Sequence, residues 1–80
     1  MIEWSRFAET LARYARVENV APDDILFREG LNLSSIDFAE FILDLEEEFG
    51  LDIDVDALGP EIRTAGQLRE AIEAQGPAGP

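Results

Sequence analysis

Two adjacent serines, Ser34 and Ser35, stand where a helical pattern of apolar residues begins. Ser34 fits the N-cap, because its hydroxyl can accept from the backbone N–H of Asp37, whose carboxylate can accept from the Ser34 backbone. Ser35 then takes the first helical position, where no cap is needed and where the positive helix end stabilises an attached anion such as a phosphate. Taken alone, this chemistry is explained more simply by a small polar residue tolerated in a first turn.

Other site chemistry finds little support in the chain. There is no His and no Cys, which excludes His-based acid–base or triad chemistry and Cys-based metal sites. The carboxylates are scattered without a positioned partner, so we predict a protein that is not an enzyme and has no catalytic residues. The run Asp52 to Arg63 begins like a calcium loop, but Ala57 and Arg63 replace the required Gly and Glu, so we predict no metal site.

The negative net charge limits the classes of partner that the protein can bind. Six Arg and no Lys face 18 acidic residues, which gives a net charge of −12. No basic residue lies between Glu29 and Glu61. Such a surface repels nucleic acid and anionic membranes and attracts cations or basic protein surfaces. No apolar run reaches the ~18 residues of a membrane span and no signal peptide opens the chain, so we expect a cytoplasmic protein without membrane insertion.

Periodicity and turn residues predict the elements that position the serines. Apolar residues at helical spacing predict a first helix over residues 2–17, and a long ordered loop, fixed by Ile25, Leu26 and Phe27, should follow to Leu33. A second helix runs from Ser34 or Ser35 to Gly50, one turn is expected around Ala57 and Leu58, and a capping box at residues 64–67 opens the last helix. This predicts an all-α, four-helix bundle of three main helices and a short one over residues 1–75, with a disordered Gly/Pro tail at 76–80.

The stretch "LNLSSIDFAEFILDLEEEFGLDI" resembles the acyl carrier protein family, whose hallmark is L-G-x-D-S-L-D followed by an apolar helix ending in E-E-E-F. Ser35 and Asp37 fall in register with that motif, and Ile36 replaces the usual Leu. The resemblance extends from Phe27 to Leu68. It implies that Ser35 carries a 4′-phosphopantetheine arm, donated by coenzyme A, whose thiol holds acyl groups as thioesters. A chain without cysteine would have to import such a thiol.

Two departures from the family pattern concern the residues before Ser35. Ser34 replaces the usual Asp, which keeps the cap but removes a negative charge from the surface that a phosphopantetheinyl transferase reads in this family. Asn32 replaces the usual Gly, a mild change because Asn also adopts positive φ angles. Together they favour a specialised carrier over the housekeeping carrier of fatty acid synthesis.

The resemblance also assigns roles to further residues. It implies a monomer that meets a phosphopantetheinyl transferase and acyl-transferring or condensing enzymes with basic surfaces, in fatty acid, lipid or polyketide-type biosynthesis. A D-alanyl or aminoacyl carrier, a carrier domain of a larger synthase, and an acidic helical adaptor or cation-binding module without a prosthetic group are the alternatives. We expect Glu48 to lie on a solvated helix face. The predicted docking residues are Ile36, Asp37, Glu40, Leu43, Glu46, Glu47, Asp54 and Asp56, and the predicted acyl-pocket residues are Phe27, Phe38, Ile42, Leu45, Ile53, Ile62 and Leu68.

Overall fold

A computed structural model describes residues 2–75. Its elements are the α-helices α1 (Trp4–Ala15), α2 (Ser35–Phe49) and α3 (Ala65–Gln75), and one 3₁₀ turn, η1 (Val55–Ala57). The all-α class is confirmed, and across residues 2–75 strand-like pairing is limited to one isolated bridge, between Ile25 and Thr64. The short fourth element is a 3₁₀ turn that begins two residues before the predicted Ala57. The predicted Gly/Pro tail lies outside the described residues.

Helices α1 and α2 pack antiparallel. The edge-to-face pair of Phe7 and Phe41, with ring centroids 5.5 Å apart, lies between them, and Leu11 and Leu45 are fully buried. Ion pairs flank this packing, and their order along the two helices is reversed, as antiparallel helices require. These pairs are Arg6–Glu48 at 2.9 Å, Arg13–Asp44 at 3.7 Å and Arg16–Asp37 at 3.6 Å.

The expectation for Glu48 was wrong. Its carboxylate accepts hydrogen bonds from the Arg6 guanidinium and from Oγ1 of Thr10, each at 2.9 Å. Thr10 is only 1% exposed, so its hydroxyl needs this partner inside the protein. Glu48 therefore faces α1, because it lies one turn after Asp44 on the side of α2 that carries the interhelical pairs.

The loop between α1 and α2 is fixed partly by its side chains and partly by backbone contacts to the start of α3. Leu26 is buried, as predicted, and Phe27 is half-buried, but Ile25 is 40% exposed. The Leu26 N–H donates to the carbonyl oxygen of Arg63 at 2.9 Å, and the N–H of Ala65 donates to that of Asp24 at 2.9 Å. The loop thus holds α3 against the bundle.

The predicted capping box of α3 is present. The backbone N–H of Gln67 donates to Oγ1 of Thr64 at 3.2 Å, and Oε1 of Gln67 accepts from the Thr64 N–H at 3.1 Å. Leu68 and Ile72 are buried and Ala71 is half-buried, so the predicted buried face of this helix is confirmed. None of the helices in the described part of the chain is long and apolar enough to cross a membrane.

Candidate functional site

The two serines at the start of α2 differ in their contacts. Ser34 has an extended backbone, its hydroxyl accepts from the Asp37 N–H at 3.0 Å, and its own N–H donates to Asp37 Oδ2 at 3.3 Å. Ser35 is the first residue of the helix and is exposed. Within residues 2–75 its hydroxyl takes no part in the cap, which Ser34 completes. The helix start therefore presents one hydroxyl that the fold does not use.

Asp37 keeps a negative charge in the first turn of α2. Hydrogen bonds from Ser34, through its side chain and then through its backbone, lower the pKa of Asp37, and the nearby Arg16 guanidinium adds to this effect. The ionised carboxylate is favourable here because it lies at the positive end of the helix. The result is a fixed helix start on which Ser35 is held.

An apolar groove of about 640 Å³ opens beside Ser35. Its walls come from α2, from the loop before that helix and from the segment that leads into η1. Four of the residues predicted to line an acyl pocket, Phe27, Phe38, Ile42 and Ile53, stand in these walls. The groove also contains Ala39, Leu43, Glu46 and Val55, of which Ala39 and Val55 were not assigned a site role from the sequence.

The remaining predicted pocket residues lie deeper. Ile62 and Leu68 line a smaller cavity of about 180 Å³, which shares Phe27, Phe38 and Val55 with the groove. The rings of Phe27 and Phe38 are 5.6 Å apart and contribute to both spaces. Leu45 lines neither space and is fully buried among the core residues.

One exposed face of α2 alternates apolar and acidic side chains. Ile36 and Leu43 are 69% and 61% exposed, more than the other exposed large apolar residues of the described chain, Val17, Ile25 and Val55. Glu40 and Glu47 follow them by four residues each and are also exposed. Positions 36, 40, 43 and 47 share one side of an α-helix. We call these four residues the outer stripe of α2.

The other predicted docking residues have partners within the fold or lie elsewhere on the surface. Asp37 belongs to the cap, and the half-buried Glu46 accepts from the Ile53 N–H at 2.8 Å. Asp54 caps η1 through the Asp56 N–H at 3.1 Å, while Asp56 itself is exposed. Across residues 2–75 the acids form no group of three or more placed to hold a metal ion.

Comparisons with known proteins agree with this geometry. A family model described as "Phosphopantetheine attachment site" matches residues 5–72. An acyl carrier protein from Trieres chinensis is 41% identical over 49 residues, which are 61% of this chain and 60% of that protein. The chain thus matches about 60% of that relative's length, and no solved structure gives a significant match. Because the family model covers most of the chain, the chain belongs to the acyl carrier protein family, whose members are carriers of covalently bound 4′-phosphopantetheine and not enzymes.

Proposed function

We propose that the 4′-phosphopantetheine arm is attached at Ser35 and that the protein presents acyl intermediates of fatty acid, lipid or polyketide-type biosynthesis to partner enzymes. The observation that carries this assignment is the hydroxyl of Ser35, which is exposed at the first position of α2 while Ser34 supplies the cap. Both serines lie at the start of the same helix, but only the hydroxyl of Ser35 takes no part in the cap.

The residues around Ser35 fit such an arm. In transfer from coenzyme A, the Ser35 oxygen forms a bond to the phosphorus and loses its proton, and adenosine 3′,5′-bisphosphate leaves. The positive end of α2, fixed by Ser34 and Asp37, then stabilises the phosphodiester. When bound, the arm supplies a thiol that holds acyl groups as thioesters, a chemistry that this chain has no cysteine to provide.

The groove beside Ser35 supports an acyl cargo over a D-alanyl or aminoacyl one. Its walls are mostly apolar, and its volume of about 640 Å³ exceeds what a single small amino acid would fill. Phe27, Phe38 and Ile53 can shield a hydrocarbon chain from water, which gains roughly 0.8 kcal/mol for each buried CH₂. Family membership sets aside the adaptor without a prosthetic group.

We assign partner docking to the outer stripe of α2. Ile36 and Leu43 offer apolar contact area, and Glu40 and Glu47 offer carboxylates to a basic surface. Neither glutamate forms an ion pair within residues 2–75, whereas Asp44 and Glu48 on the same helix are paired with arginines of α1. Docking through exposed charges is fast and salt-sensitive, which suits a carrier that exchanges partners. The phosphopantetheinyl transferase and acyl-transferring or condensing enzymes are the expected partners.

Mass spectrometry tests the attachment directly. The purified protein is incubated with coenzyme A and a phosphopantetheinyl transferase, its intact mass is measured, and a fragment spectrum locates the added group. We expect the mass of one phosphopantetheine on Ser35. Several transferases should be tried, because Ser34 stands where the family usually has Asp. A protein that no transferase modifies, or that is modified at another residue, would contradict the assignment.

A further inference from the structure

The six arginines of this acidic protein fall into two groups. Four form ion pairs on the bundle, and these are Arg6, Arg13, Arg16 and Arg69. Arg28 and Arg63 form no ion pair within residues 2–75, although the chain carries 18 acids. Both line the same cavity, which has a volume of about 540 Å³. Two arginines without an acidic partner on the wall of one cavity are able to bind an anion there.

This cavity shares wall residues with the groove and with the inner cavity. Phe27 lines the groove, the inner cavity and this outer cavity. Leu58, Gly59 and Ile62 line both the inner and the outer cavity. The three spaces therefore share walls, and the two arginines lie on the outer cavity, which Ser35 does not line.

Both arginines lie on the outer cavity in a defined backbone conformation. Arg28 has a φ of +56°, a left-handed conformation in which Gly or Asn is usual. The backbone carbonyl oxygen of Arg63 accepts from the Leu26 N–H at 2.9 Å, and the backbone N–H of Arg63 donates to Oε1 of Gln67 at 2.8 Å. Glu29 also lines the cavity and the Glu61 carboxylate lies beside Gly59 in its wall, but neither acid forms an ion pair with Arg28 or Arg63.

We propose that the outer cavity receives the far end of the cargo and that Arg28 and Arg63 bind a terminal carboxylate there. The carrier would then favour acyl groups derived from dicarboxylic acids over monocarboxylic ones of the same length. Arginine binds carboxylates through charge-assisted, often bidentate hydrogen bonds, whereas a methyl end offers the guanidinium groups nothing. This inference rests on the proposed attachment at Ser35 and on passage of the cargo past Phe27 and Phe38.

A matched series of loaded proteins provides the test. The protein is loaded by a transferase from coenzyme A thioesters of monoacids and diacids with 4 to 12 carbons, and each product is verified by intact mass before its melting temperature is measured. At one or two chain lengths we expect the diacid form to melt about 4 °C or more above the monoacid form. Because the contact is ionic and reached from the surface, high salt should reduce the difference.

Arginine variants distinguish a specific contact of Arg28 and Arg63 from the effect of removing any positive charge. Arg28→Gln and Arg63→Gln should each reduce the difference, and the double variant should abolish it, while Arg28→Lys should keep part of it. Arg13→Gln removes the same charge from an exposed residue of α1 and should leave the difference unchanged. Equal melting temperatures at every length, or a difference that survives in the double variant, would overturn this inference alone. Failure of every thioester to load would overturn the proposed function and this inference with it.

Discussion

The carboxylate of Asp37 links the helix start to the adjacent helix. Hydrogen bonds with the Ser34 side chain and then with the Ser34 backbone N–H hold the pKa of Asp37 below its usual range, and the Arg16 guanidinium 3.6 Å away adds to this effect. A lowered pKa in the folded state means that the folded protein favours the ionised form. The stabilisation is therefore present above the pKa of an unfolded Asp, about 3.9, and is lost as the pH falls through the lower folded-state value.

Acid titration of Asp37 gives the first prediction. The melting temperature of the natural protein should fall more steeply between about pH 5 and pH 2 than that of Asp37→Asn, which lacks the titrating group. Asp52→Asn removes the same charge from an exposed residue outside the caps and serves as the control. The assignment fails if Asp37→Asn keeps the pH dependence of the natural protein, or if Asp52→Asn loses it to the same degree.

The predictability of single residues depends on how far away their partners lie. The Ser34–Asp37 cap follows from the sequence because its partners are three residues apart. Glu48 could not be placed in this way, since its partner Arg6 lies 42 residues earlier. Glu47 and Glu48 read alike in the sequence, but a rotation of about 100° per residue turns one outward and the other toward α1. Only the packing of the two helices reveals this difference.

Helix α2 thus has a side that packs on α1 and an outer stripe, and two adjacent glutamates distinguish them. Glu47→Lys, like Glu40→Lys, should slow acyl transfer to or from partner enzymes while leaving the helical circular dichroism spectrum nearly unchanged and without lowering the melting temperature, because both side chains are exposed. Glu48→Gln should instead lower the free energy of unfolding by about 1–3 kcal/mol, because Thr10 and Arg6 lose a charged acceptor. If Glu40→Lys and Glu47→Lys both transferred acyl groups at the normal rate at low ionic strength, docking through the outer stripe of α2 would be refuted.

Two leucines of α2 provide a similar contrast for apolar contacts. Leu43 is 61% exposed, whereas Leu45 is fully buried. Leu43→Ala should impair transfer to partners with little loss of stability, since few of its contacts are made within the chain. Leu45→Ala should lower the free energy of unfolding by about 2–5 kcal/mol, as expected for a buried leucine. Chemical denaturation beside a transfer assay distinguishes the two, and a large stability loss for Leu43→Ala would place that residue in the core.

The net charge of −12 acts on the molecule as a whole. Acids crowd residues 29–61, whereas the surface ion pairs contribute little each and weaken in salt. Relief of self-repulsion should therefore outweigh the loss of these pairs, and added salt or millimolar Mg²⁺ should raise the melting temperature. A thermal scan across ionic strength measures this directly. An unchanged or falling melting temperature would show that self-repulsion is not an important contribution.

Local signals in the sequence predict the positions of the helices better than they predict the residues that line the cavities. Helical periodicity, the Ser34 cap and the Thr64 capping box locate α2 and α3 to within about a residue, because each signal spans a few positions. A periodic pattern shows that Leu45 is buried but not which residues it contacts, so its assignment to the pocket walls had no local basis. The backbone bonds that join the loop to α3 determine the cavity walls, and they link Leu26 to Arg63 across 37 positions of sequence.

Ser34 and Ser35 have separate roles, the first as helix cap and the second as attachment point, and alanine variants of the two distinguish these roles. The measurement is intact mass after incubation with transferase and coenzyme A, with the free energy of unfolding of each variant as its companion. Ser34→Ala should lose about 1 kcal/mol of stability and still accept the arm, because it lacks only the cap. Ser34→Asp restores the family's usual residue and should be modified at least as fast as the natural protein. Ser35→Ala should fold almost normally and gain no mass, and the mass of phosphopantetheine on that variant would show that Ser35 is not the attachment point.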